Sequence, residues 1–113
     1  MIQTKVSFQT KSKITSFLSV PGAASFQREI DLVQDVATKR GIPLEKINVH
    51  LERDVEVRNW KYVVVELFFK STLDEAYQFY RILCSQIDLF ESTLDMKIRE
   101  ALTGKVFYVF ETI

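Results

Sequence analysis

The alternation of apolar and polar residues predicts strands at both ends of the chain and in its middle. In residues 2–9 the apolar positions alternate with polar ones, which is typical of a half-buried strand. Residues 47–57 and 61–70 alternate in the same way and are separated by a short polar link, so they predict a hairpin. Arg53 breaks the apolar parity and predicts either a bulge or the end of the packed part of the first hairpin strand. Residues 105–112 are apolar on both faces and predict a last strand.

Two longer segments have the spacing of amphipathic helices. From about Ala23 to Arg40, apolar residues recur every three or four positions, and Gly41 followed by Pro43 predicts a sharp end. The second helix is predicted to begin at Thr72, which forms a capping box with Glu75. Its apolar stripe is wider than one core requires, which favours a contact with another subunit.

Two segments allow alternative interpretations. Residues 10–20 contain a polar turn followed by an apolar run that either extends the first strand or forms a separate one. Residues 93–103 fit a short helix ending at Gly104, and they also fit a strand in which Leu94, Met96 and Ile98 alternate. We favour the helix.

The element order predicts a single α+β domain over residues 1–113. Strand, helix, hairpin, helix, short helix and strand is the order of a ferredoxin-like, split βαβ sandwich, with an antiparallel sheet of four to five strands. Two main helices would cover one sheet face, and the first strand would lie in the middle, beside the second half of the hairpin.

Composition and charge narrow the class of protein. The net charge is zero and the pI is near 6.6, which disfavours nucleic-acid binding without excluding it. The single cysteine, Cys84, rules out an intrachain disulfide and fits a reducing compartment. Because no apolar run is long enough to span a membrane, we expect no membrane association and a cytoplasmic location.

Apolar excess is the strongest functional signal in the sequence. Nine phenylalanines are many for a chain of 113 residues, and the outward parity of the second hairpin strand is too apolar for a solvated face. We therefore predict an interface on that sheet face, formed by Tyr62, Val64, Phe68 and one parity of the last strand, represented by Tyr108. The alternative is that the N-terminal strand or residues 93–103 cover this face within one chain.

Two weaker constellations suggest other functions. Arg58, Trp60 and Lys61 combine cations with a ring at the hairpin tip, a pattern that can bind phosphate and stack on bases. The nearby acids Asp54 and Glu56 would repel phosphate.

The second constellation is a candidate metal or acid–base cluster. His50 and Glu52 project from one strand face, and Glu66 on the next strand would lie opposite one of them. A solvated strand face explains the same pattern, and only one histidine is available.

Taken together, these patterns favour a non-catalytic domain that self-associates as a dimer or larger and acts by ligand or protein binding, with regulation as one role. The first alternative is a nucleic-acid-binding protein that uses residues 58–62, and the second is a small enzyme centred on His50. No cofactor motif is present, and neither a ligand nor a protein partner can be named from the residues.

Overall fold

A computed structural model of the chain describes residues 4–57 and 60–113. The four strands are β1 (Lys5–Phe8), β2 (Leu44–Arg53), β3 (Lys61–Phe69) and β4 (Val106–Thr112). The three helices are α1 (Lys11–Arg40), α2 (Leu73–Ser92) and α3 (Met96–Leu102). The α+β class and the order of the elements agree with the sequence prediction.

The arrangement of the strands differs from the ferredoxin-like prediction. The sheet has the order β1-β2-β3-β4, so β1 lies at an edge beside β2 and not in the middle beside β3. Only β2 and β3 are antiparallel, whereas β1 and β4 each run parallel to their neighbour. Each parallel pair is joined by a helical crossover, α1 for the first pair and α2 with α3 for the second. The ferredoxin-like topology and the antiparallel sheet were therefore wrong.

The hairpin strands have the predicted inward parity. Val63, Val65, Leu67 and Phe69 of β3 are completely buried. The packed part of β2 ends before Arg53, and beyond it Val55 is 99% exposed. The register irregularity lies at the other end of β2, between Leu44 and Lys46, which lets Leu44 and Ile47 both point into the core.

The core lies between the inner sheet face and the helices. Inward side chains of all four strands share one apolar cluster with buried residues of α1, α2 and α3. The α3 helix confirms the helical interpretation of residues 93–103, and its Leu102 is 1% exposed in this cluster. Within residues 4–57 and 60–113, the structure contains no helix whose length and hydropathy would let it cross a membrane.

Residues 11–20 form the first part of α1 and not a strand. Ile14 and Leu18 lie one turn apart and are 2% and 0% exposed, so this segment buries an apolar stripe. The helix is interrupted at Ser19, where φ is 68° and ψ is 167°. Pro21 has no N–H to continue the hydrogen-bond ladder from the preceding turn, which explains a break at this point. The predicted start at Ala23 was therefore too late.

Ser19→Gly is expected to stabilise the protein by about 1 kcal/mol. Its backbone occupies a region that is essentially reserved for glycine and costs other residues about 1–3 kcal/mol, and the extra freedom of glycine in the unfolded chain offsets part of the gain. Thermal or urea unfolding would measure the change. Ser16→Gly, an exposed position in the regular helix three residues earlier, is the matched control and should destabilise. A loss of stability in Ser19→Gly would contradict this account.

Candidate functional site

The sheet face opposite the helices, called the open face below, carries the predicted apolar excess. Because α1, α2 and α3 all contribute to the core on the inner face, none of them covers the open face. Its apolar members are Tyr62, Val64, Phe68, Phe107 and Val109. Phe107 is 41% exposed and Val109 is 42% exposed, although both belong to a strand paired within a sheet. Within the described residues, β1 is an edge strand of the same sheet and residues 93–103 pack on the inner face, so neither covers the open face.

Tyr108 is the one predicted interface residue that lies on the other face. It alternates with Phe107 and Val109, so β4 directs its side chain towards the helices. There its hydroxyl donates a 2.7 Å hydrogen bond to Oε1 of Glu29. Sequence parity left two choices for β4, and Tyr108 represented the wrong one, because both parities are equally apolar.

The hairpin end of the open face is aromatic. The ring of Trp60 lies 5.5 Å from that of Tyr62, and Tyr62 contacts Phe107 edge-on at 5.7 Å between ring centroids. These three rings and Asp54 line a shallow depression. Asp54 also fixes the loop, since its Oδ1 accepts hydrogen bonds from the backbone N–H groups of Glu56 and Val57, both at 2.8 Å.

Of the predicted nucleic-acid residues, the two that the structure describes, Trp60 and Lys61, lie in different surroundings. Arg58 lies outside the described residues. Trp60 belongs to the aromatic cluster, whereas Lys61 lines a different depression with Lys13 and Phe17 of α1. The charged side chain that lines the depression beside the rings is therefore Asp54, and Lys61 lines the other depression.

His50, Glu52 and Glu66 come together on the open face. Nε2 of His50 lies 2.8 Å from Oε1 of Glu52, and its Nδ1 lies 3.4 Å from Oε1 of Glu66. The expected register was wrong, because Glu66 pairs with Asn48 and reaches His50 diagonally. Both ring nitrogens are occupied by carboxylates, and no metal-binding group of three or more His, Cys, Asp or Glu side chains occurs within residues 4–57 and 60–113. The cluster is a polar network beside apolar contacts.

A buried carboxyl group, which the sequence analysis missed, lies on the inner face. Glu29 is 0% exposed, and its Oε2 has no hydrogen-bond partner within the described part of the chain. Burial raises the pKa of Glu29 to about 8; the hydrogen bond from Tyr108 opposes this, and the acids Glu91 and Asp88 add to it. Glu29 therefore holds its proton at neutral pH.

The surroundings of Glu29 contain further titratable groups that are partly buried. Burial raises the pKa of Tyr108 well above its ordinary value, and burial raises the pKa of Tyr80 to about 12. The Tyr80 hydroxyl donates a 2.6 Å hydrogen bond to the carbonyl of Tyr108, tying α2 to β4. Burial also raises the pKa of Cys84, which lowers the fraction of reactive thiolate. This cluster connects α1, α2 and β4.

A spacing signal for Glu29 was present in the sequence. Phe26, Glu29, Val33 and Val36 follow one another at intervals of three, four and three residues, which places Glu29 in the apolar stripe of α1. Residue type alone favours the solvated face for a glutamate. Periodicity was the better guide at this position.

Comparison with protein-family models, with curated proteins and with solved structures gave no match for this chain.

Proposed function

We propose that this domain is a non-catalytic module that self-associates through its open face. The observation that carries the proposal is the asymmetry of the sheet: the helices pack on one face, and five apolar side chains stand on the other, which no helix within residues 4–57 and 60–113 covers. Aromatic and aliphatic side chains on a flat face are typical anchors of protein interfaces. A second copy of the same face would remove them from water.

The polar groups on the open face are compatible with an interface of this kind. His50 lies between the carboxylates of Glu52 and Glu66, so each acid has one polar neighbour, and the partner surface would have to supply further hydrogen-bond donors to these carboxylates. Lys46 lies over the ring of Phe68 at 5.5 Å, so a cation borders the apolar patch and is held there by a cation–π contact. This arrangement supports binding, and it gives no reason to propose chemistry at His50.

Nucleic-acid binding at the hairpin is the less supported alternative. Stacking rings are present at Trp60 and Tyr62, but Asp54 lines the same depression and Lys61 lines another. Phosphate recognition requires cations beside the rings. The described residues of the hairpin do not offer that combination.

Phe68→Glu and Tyr62→Glu should each convert the oligomer into a monomer. A carboxylate placed in the centre of an apolar contact must be desolvated without a partner, and anchor positions of this type cost at least about 2 kcal/mol when they are lost. Light scattering across a concentration series measures the mass. Val55→Glu, on the 99% exposed hairpin loop, is the matched control and should leave the mass unchanged.

A further variant tests whether the oligomer forms through the open face or through α2. Leu89 is 61% exposed on α2, on the part of the wide apolar stripe that was predicted to contact another subunit. If the oligomer uses the open face alone, Leu89→Glu keeps its mass. Dissociation by Leu89→Glu, with no change in Phe68→Glu, would overturn the proposal.

A further inference from the structure

The open-face side chains form straight rows across the four strands. The row called the charged row contains Lys5, Lys46, Phe68 and Glu111, one from each strand in order. The next row contains Ser7, Asn48, Glu66 and Val109. The third contains His50, Val64 and Phe107. In the first two rows the charge and polarity of the side chains therefore change from β1, at one edge of the sheet, to β4, at the other.

The charged row has opposite charges at its two ends. Lys5 and Lys46 are exposed on β1 and β2, and Glu111 is exposed on β4. Neither Lys5 nor Glu111 forms an ion pair with another described residue. The two ends cannot meet within one sheet, because two other strands lie between them.

From this pattern, and resting on the proposed self-association, we infer that two copies pack face to face about a two-fold axis parallel to the strands. This symmetry places β1 of one copy over β4 of the other and each row over the same row. Lys5 then faces Glu111 of the partner subunit, and the symmetry makes this contact twice. Lys46 faces the ring of Phe68 of the partner subunit, which is the kind of contact it already makes within its own chain.

The same symmetry gives the central acid a suitable neighbour. Asn48 and Glu66 occupy one row on the two middle strands, so each Glu66 lies opposite Asn48 of the partner subunit. An amide N–H can donate to the carboxylate, which offsets its loss of water. Aligned packing of two twisted sheets keeps their strands within about 30° of each other, as this arrangement requires.

The other face-to-face symmetry has an axis perpendicular to the strands and lays each strand over its own copy. Centred on the second row, it places Glu66 against Glu66 and Lys46 against His50. Centred on the third row, it places His50 against His50 and Lys46 against Asp54, but it leaves Lys5 and Glu111 without an opposite charge. Charge complementarity thus favours the parallel axis.

Cross-linking of single-cysteine variants distinguishes the two symmetries. In a Cys84→Ser background, Lys5→Cys and Glu111→Cys proteins are prepared separately, mixed and treated with a short bifunctional maleimide, because packed sheets lie about 10 Å apart, beyond the reach of a direct disulfide. The parallel axis predicts a cross-linked dimer from the mixture, because the two positions face each other across that gap. It predicts none from Val109→Cys alone, since copies of β4 would lie about three strand spacings, roughly 14 Å, apart.

A charge exchange provides the independent measurement. Lys5→Glu should weaken the dimer by roughly 3- to 30-fold, because two like-charge contacts replace two attractive ones. The double variant Lys5→Glu/Glu111→Lys should restore most of the wild-type dissociation constant. Efficient cross-linking of Val109→Cys, no cross-linking in the mixture, or no restoration in the double variant would overturn the parallel axis. In those cases a dimeric wild-type protein keeps the proposed function, whereas a monomeric one removes both.

Discussion

Glu29→Gln should be more stable than the wild-type protein at pH 8 and above by roughly 3–5 kcal/mol. The unfolded chain releases the Glu29 proton near the ordinary value of 4.5, whereas the native protein holds it to about pH 8. Between these values the native state binds one more proton, so its stability falls by about 1.4 kcal/mol per pH unit as the pH rises. Glutamine resembles the protonated acid and removes this loss.

Urea unfolding of both proteins at several pH values between 4 and 9, on the order of one unit apart, measures the difference. The stability difference should be small near pH 4.5 and should grow until about pH 8. Glu91→Gln removes one like charge and should lower the pKa of Glu29 only in part, because burial is the larger cause. The pH range over which the stability difference grows should therefore become shorter but should not disappear. Asp31→Asn, an exposed acid on the same helix, is the control and should show no such trend. A pH-independent difference for Glu29→Gln would contradict the assignment.

Phe69→Ala should destabilise the fold by about 3–5 kcal/mol. Phe69 is 0% exposed and packs on Phe79 of α2 with 5.9 Å between ring centroids. Truncation leaves a cavity between the sheet and α2 that the surrounding side chains can fill only in part. Thermal or urea unfolding at a concentration where the protein is monomeric measures the loss.

Phe68→Ala is the matched control for Phe69→Ala, one position away on the same strand. Phe68 points to the open face, so the monomer should lose about 1 kcal/mol or less. The same change should weaken self-association, which Phe69→Ala affects only through unfolding. Equal destabilisation of the monomer by both substitutions would show that the two sheet faces do not have these separate roles.

Local patterns in the sequence predicted most of the elements. The capping box of Thr72 and Glu75 is present, with the backbone N–H of Glu75 bonded to the Thr72 hydroxyl at 3.3 Å. Gly41 ends α1 in the left-handed conformation with φ of 66°, as expected. Both features depend on neighbours within one turn, which the sequence displays directly.

Long-range arrangement was not accessible in the same way. The position of β1 depends on which strand edge it pairs with, and alternation in residues 5–8 describes a strand without naming its neighbour. The bulge at Leu44 and Lys46 likewise follows from packing across the hairpin. Residues 11–18 were missed for another reason, since Ile14 and Leu18 have helical spacing but the adjoining strand pattern and Pro21 suggested an extended segment.

For the candidate site, parity identified Tyr62, Val64 and Phe68 on the open face but could not choose between two apolar faces of β4. The grouping of His50 with Glu52 and Glu66 was also predicted, although with the wrong register. Glu29 was missed because a charged residue in an apolar stripe was assigned by its type. Its partner Tyr108 lies 79 positions away, a contact that no local pattern reveals.

The central claim is that the open face is a surface for a second copy of the chain. Light scattering of the wild-type protein and Phe68→Glu, over the same concentration series, tests it most directly. The account predicts that the wild-type mass approaches twice the 13.2 kDa of one chain, and that Phe68→Glu stays at 13.2 kDa while remaining folded. A wild-type protein that stays at 13.2 kDa at every concentration would contradict it.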